Sequence, residues 1–180
     1  MKISNYLPHF SEACLLVSSG KQEAEFFLIE NDEVEEVHHL KVNKPEYTDR
    51  ESRTERRSDS GRMFGGGGSF KHQEDELERS FIKKLSEATS NLTNEHKAKQ
   101  IYLFCPTYLS KQIEASLPND LRKKIMYIFY GNYQHQHPFV LLSKIQEFLR
   151  LEKADNQVDV IKGEAYDILK NTDGLENRIY

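Results

Sequence analysis

Short apolar runs separated by polar punctuation dominate the first quarter of the chain. Ala13-Cys14-Leu15-Leu16-Val17 is continuous and ends at Ser18-Ser19-Gly20, the pattern of a buried central strand followed by a tight turn. Ala24-Glu25-Phe26-Phe27-Leu28-Ile29 comes next, closed by Asn31-Asp32, and Val34 to Val42 then alternates in part. Connections this short predict an antiparallel meander of three strands.

From Asn43 to Phe70 the apolar pattern lapses. The stretch is charged and ends in Gly65-Gly66-Gly67-Gly68. A segment of this length without a pattern of its own is usually functional or disordered when it sits inside a domain. It holds Arg50, Arg53, Arg56, Arg57 and Arg62, interleaved with Asp49, Glu51, Glu55 and Asp59, so its charge is nearly balanced. A solvated mobile loop over 43–70 is the plainest reading.

Helical spacing follows. Ser69 reads as an N-cap, and Glu74, Asp75 and Glu76 suit the positive end of a helix dipole. Leu77, Phe81, Leu85, Ala88 and Leu92 then place one apolar stripe against a core. Ile101 to Cys105 is a buried strand stopped by Pro106. Tyr108, Leu109, Ile113 and Leu117 make a short helical stripe, and Ile125 to Tyr130 is a further strand closed by Gly131-Asn132. A last helix starts near Pro138 with Phe139, Leu142, Ile145, Phe148 and Leu149 inward. The order predicts an α/β domain over 1–151, a mixed sheet of about five strands with helices packed on it in RNase H-like layering. Residues 152–180 read as a tail with a short helix around Val158 to Leu169, a candidate partner-binding extension.

Composition narrows the function classes. The formal net charge of -4 argues against coating nucleic acid through bulk charge, while leaving room for a local basic patch. Met1 to Phe10 lacks a secretory pattern, and no apolar stretch approaches the roughly 20 residues of a membrane span. A cytoplasmic protein without a membrane partner is expected. Cys14 and Cys105 each sit in an apolar run and read as buried strand thiols, with a disulfide or a nucleophile as alternatives.

Several segments together carry a family resemblance. They are Val17-Ser18-Ser19-Gly20-Lys21, then Ser60-Gly61-Arg62 with the glycine run and charged helix, then Ile101 to Cys105 with Pro106-Thr107-Tyr108-Leu109, and Leu117-Pro118-Asn119-Asp120-Leu121-Arg122. In this order, over roughly residues 13 to 149, the chain resembles the bacterial host-attachment family. That family is similar to the central domain of archaeo-eukaryotic class I release factors, whose Gly-Gly-Gln loop precedes a long helix and reaches the peptidyl-transferase centre. Gly67, Gly68 and Ser69 would occupy the loop's three positions, with serine in place of the glutamine. The resemblance thus implies the release-factor scaffold more than it implies peptidyl-tRNA hydrolysis. A ribosome or tRNA is the implied partner, with Arg56, Arg57, Arg62, Gly65, Gly66, Gly67, Gly68, Ser69 and Lys71 as its contact residues. A protein partner in host interaction is the alternative.

Other chemistry fares less well. The glycine run lacks the Lys-Ser/Thr of a Walker loop, and the acidic residues behind it would repel a phosphate. His38-His39 and His135 with His137 do not reproduce zinc-ligand spacing, so no metal and no cofactor are expected. A two-metal nuclease needs strand-borne carboxylates, and the runs Ala13 to Val17 and Ile101 to Cys105 carry none. An enzyme acting on small phosphoesters lacks a catalytic constellation.

Overall fold

The computed structural model describes residues 1–43 and 67–154, with side chains from residue 74 onward in the second segment. The predicted helix at Val158 to Leu169 lies outside them. Strands β1 (Cys14–Ser19), β2 (Glu23–Glu30) and β3 (Glu33–Lys41) form the expected meander. They are followed by α1 (Gly67–Glu95), β4 (Gln100–Cys105), α2 (Thr107–Ser116), α3 (Asn119–Arg122) and β5 (Ile125–Tyr130). A further helix, α4, covers residues 138–154.

The five strands make one mixed sheet in the order β3-β2-β1-β4-β5. β1 pairs antiparallel with β2 and parallel with β4, and β4 pairs parallel with β5. The β2–β3 hairpin turns on Asn31 and Asp32, both at positive φ (52° and 60°), the left-handed pair that a two-residue turn between twisted strands requires. β1 is buried along its whole length, which is why its sequence reads as a continuous apolar run.

One face of the sheet presents Leu15, Val17, Phe26, Ile101 and Leu103 to Phe81, Ile82, Leu85 and Leu92 of α1 and to Leu109 and Ile113 of α2. Full burial of a side chain such as Phe81 or Leu85 contributes about 1.5–3 kcal/mol. The predicted α1 stripe is thus the one that meets the core. The α2 stripe differs at one position: Tyr108 is 59% exposed, while Ser110 is buried with its hydroxyl donating to the Thr107 carbonyl at 2.8 Å. At 100° per residue, Tyr108 falls off the line through Leu109, Ile113 and Leu117.

Two compact units are present, Met1–Ile3 with Phe10–Gln136, and residues 4–9 with residues 137 onward. Within the second, Ser143 Oγ donates to the Phe139 carbonyl at 2.8 Å and Gln146 Nε2 donates to the Tyr6 carbonyl. Its buried residues are Pro138, Leu141, Leu142 and Ile145, while Phe139, Phe148 and Leu149 are only half-buried. Leu142 and Ile145 are thus inward as expected, while Pro138 and Leu141 take the burial expected of Phe139, Phe148 and Leu149.

Both cysteines are buried and unbridged, and burial raises their thiols, Cys105 to about 12 and Cys14 further. Thiols held protonated in this way are poor nucleophiles, in keeping with buried strand residues. β1 runs two residues further than expected, through Ser18 and Ser19. Their hydroxyls find acceptors at the carbonyls of Tyr133 (2.9 Å) and Gly20 (3.1 Å), so polar residues are tolerated at full burial.

Candidate nucleic-acid interface

The length of α1 sets the geometry. Its 29 residues extend about 43 Å, whereas a six-residue strand extends about 20 Å. Among the residues of α1 with described side chains, Leu77 is the first to pack on the core, and Glu74, Asp75 and Glu76 ahead of it are exposed. The helix itself starts ten residues, about 15 Å, ahead of Leu77. Because β4 starts at the opposite edge just after α1 ends, this leading part points toward the edge where β1, β4 and β5 end.

This alters two expectations. Gly67, Gly68 and Ser69 are the first residues of α1 and not a loop ahead of it, so Ser69 lies within the helix and not at the position before its first turn. Glu74, Asp75 and Glu76 fall on its second and third turns, where the dipole has largely faded. Lys71 lies on the second turn. Arg56, Arg57, Arg62, Gly65 and Gly66 lie outside the described residues. The structure thus places four of the nine sequence-derived contact positions together, at the N-terminal end of one helix.

The same edge carries a cluster that the sequence reading passed over. Glu23 and Glu25 are two residues apart on β2, so both side chains stand on one face. Glu23 Oε1 lies 2.7 Å from His39 Nε2, and Lys41 Nζ donates to it at 3.5 Å. Gln134 Nε2 donates to Glu23 Oε2 at 3.1 Å. His135 contributes twice to Glu25, through its backbone N–H (3.2 Å) and ring Nδ1 (3.0 Å), and its Nε2 stands 3.8 Å from Glu23. Partial burial opposes ionisation of Glu23, but the hydrogen bond from His39 and the charges of Lys41 and His135 outweigh it, leaving its pKa below the ordinary value.

A 400 Å³ hollow beside this cluster is lined by Lys21, Gln22, Glu23, Lys41, Asn43 and Gln134, among others. The carboxylates are spoken for by imidazole, ammonium and amide donors, so the cluster ties the loop after β5 to β2. Among the described residues no group of His, Cys, Asp and Glu could hold a metal ion. The pairing was hidden in the sequence because Glu25 and His135 are 110 residues apart, and the single signal was two carboxylates at strand spacing, Glu23 and Glu25.

The sequence pattern of bacterial archaeo-eukaryotic release factor family 10 matches residues 11–136, which include all five strands and α1 to α3. The chain belongs to that family. Its name is the release-factor one and not the host-attachment one that the resemblance first suggested. A crystal structure of the archaeal translation termination factor aRF1 is similar at 15% identity, with a TM-score of 0.49 over 89% of this chain and 42% of that one. A second solved structure, described as an archaeal protein, is 12% identical with a TM-score of 0.42, covering 84% and 41%. The chain thus spans about two fifths of the length of either. No protein with a curated description matches.

Proposed function

We propose that this chain is a ribosome- and RNA-associated factor of the release type. The N-terminal end of α1, with the arginine-glycine segment before it, is its RNA contact. Membership of a release-factor family is the observation that carries the reading. The placement of the N-terminal end of α1, at the edge where the parallel strands finish, supports it. No helix among the described residues is long and apolar enough to cross a membrane.

Hydrolysis of peptidyl-tRNA is weak or absent in this proposal. The resemblance puts Ser69 where a release factor carries the glutamine amide, and a serine hydroxyl lacks that reach. No observation favours the host-interaction alternative.

Co-sedimentation with purified ribosomes tests the reading. The intact chain is expected to pellet with ribosomes at low salt, and the Arg56→Ala, Arg57→Ala, Arg62→Ala variant to remain in the supernatant. Binding should fall steeply with salt as phosphate contacts release counterions. Failure of the intact chain to pellet at low salt would overturn the proposal.

A further inference from the structure

The edge where the parallel strands begin has a different character. The join from α1 to β4 carries His96, Lys97 and Lys99, and the end of α3 with its join to β5 carries Arg122, Lys123 and Lys124. The two joins lie side by side: the Ile101 N–H donates to the Lys124 carbonyl at 2.9 Å, and Lys124 Nζ donates to the Ala98 carbonyl at 3.0 Å. Lys99 N–H donates to the Ala13 carbonyl at 2.9 Å, tying the same edge to β1. Arg122 spends its guanidinium on the carbonyls of Leu117 (2.8 Å) and Ala115 (2.9 Å). Lys97, Lys99 and Lys123 are exposed and, among the described residues, make no ion pair. The carboxylates nearby are Glu12, Glu95 and Asp120, all exposed and outnumbered by the cations.

The dipole at the C-terminus of α1 accounts for a cation at Lys97, but not for Lys123, which follows a four-residue helix. Immediately beyond Lys123 and Lys124, β5 exposes Met126 (51%) and Tyr127 (40%), the latter with its ring edge-to-face with Phe129 at 4.8 Å. Exposed lysines beside an exposed aromatic ring are the combination that tracks a single-stranded nucleic-acid backbone and stacks its bases.

We propose that this edge is a second RNA contact, with Lys97, Lys99 and Lys123 facing phosphates, at the opposite end of the parallel strands from the tip of α1. It rests on the RNA-binding reading above and adds that the domain bridges two RNA segments. An acidic protein is the lesser fit. Lysine ammonium groups are point charges, and the arginine that would grip carboxylates in a bidentate way is consumed by backbone carbonyls.

The test is fluorescence anisotropy with a labelled single-stranded RNA of about 20 nucleotides, long enough to cover one such groove. The full chain, a Lys97→Ala, Lys99→Ala, Lys123→Ala variant and the Arg56→Ala, Arg57→Ala, Arg62→Ala variant are compared over a salt series. Three lost phosphate contacts should weaken binding roughly tenfold or more and flatten the log–log salt slope by about 2. All three lysines are exposed, and an unchanged circular dichroism spectrum confirms that the fold is kept.

Weaker binding in the lysine variant, whatever the arginine variant does, supports the second contact. Loss in the arginine variant with full affinity in the lysine variant overturns it and leaves the proposed function standing. No RNA binding by the intact chain overturns both. Displacement of the RNA by polyglutamate as readily as by unlabelled RNA assigns the edge to acidic proteins and overturns the RNA assignment.

Discussion

The two ends of the parallel strands treat charge in opposite ways. At the end where the strands finish, Glu23 and Glu25 are shielded and matched by His39, Lys41, Gln134 and His135. At the end where they begin, Lys97, Lys99 and Lys123 stand in solvent without ion pairs among the described residues. The carboxylates at the first end are spent on holding a loop to the sheet. At the second end charge is left for a partner. A charged residue is therefore informative about binding only once its partners within the fold are known.

The largest effect comes from cutting what both ends rest on. Leu85→Ala should cost about 2–5 kcal/mol in chemical denaturation, because Leu85 is fully buried between α1 and the sheet. Unfolding should be lost or regained at both ends together; separate transitions in the first unit would break the common frame.

Next is the loop tie. His135→Ala removes the ring partner of a nearly buried carboxylate, and its own exposure limits the loss to about 1–2 kcal/mol. A loss below about 0.5 kcal/mol would show that the backbone N–H alone holds Glu25.

Acid should distinguish the ends further. The folded-state pKa of Glu23 is depressed, so the stability it contributes is present above its ordinary value of 4.5 and is lost as pH falls through the lower folded value. Glu23→Gln should flatten that acid limb of a stability-against-pH curve. An unchanged limb would mean that the Glu23 cluster does not carry it.

The smallest effect belongs to the free cations. Lys97→Ala, Lys99→Ala and Lys123→Ala should each change stability by no more than about 0.5 kcal/mol. A larger loss in thermal melts would mean these lysines serve the fold and not a ligand.

Most of the fold was legible because its signals are local. The β1 run, the α1 stripe from Leu77 to Leu92, the Ile125 to Tyr130 strand and the Asn31-Asp32 turn depend on spacing within a few residues. Tyr108 departs from its expected face because α2 is only ten residues long, and in α4 the apolar residues 138, 139, 141, 142, 145, 148 and 149 spread over more than one face, so spacing alone does not pick the buried ones. The start of α1 was misjudged because a glycine run reads as a loop, while three further residues of helical hydrogen bonding can include it. The site was less legible. The Glu25–His135 tie joins positions 110 residues apart, and the lysine edge joins the α1–β4 and α3–β5 connections. Neither leaves a mark within a short window of sequence.

The most direct test of the central claim places a photo-crosslinking residue at Asp75, exposed near the N-terminal end of α1, and irradiates the chain with ribosomes. Crosslinks to ribosomal RNA from this position, and none from a control position at Glu35 on β3, are the expected result. Crosslinks to protein alone, or equal yields from both positions, would contradict the assignment of the α1 tip as the RNA contact.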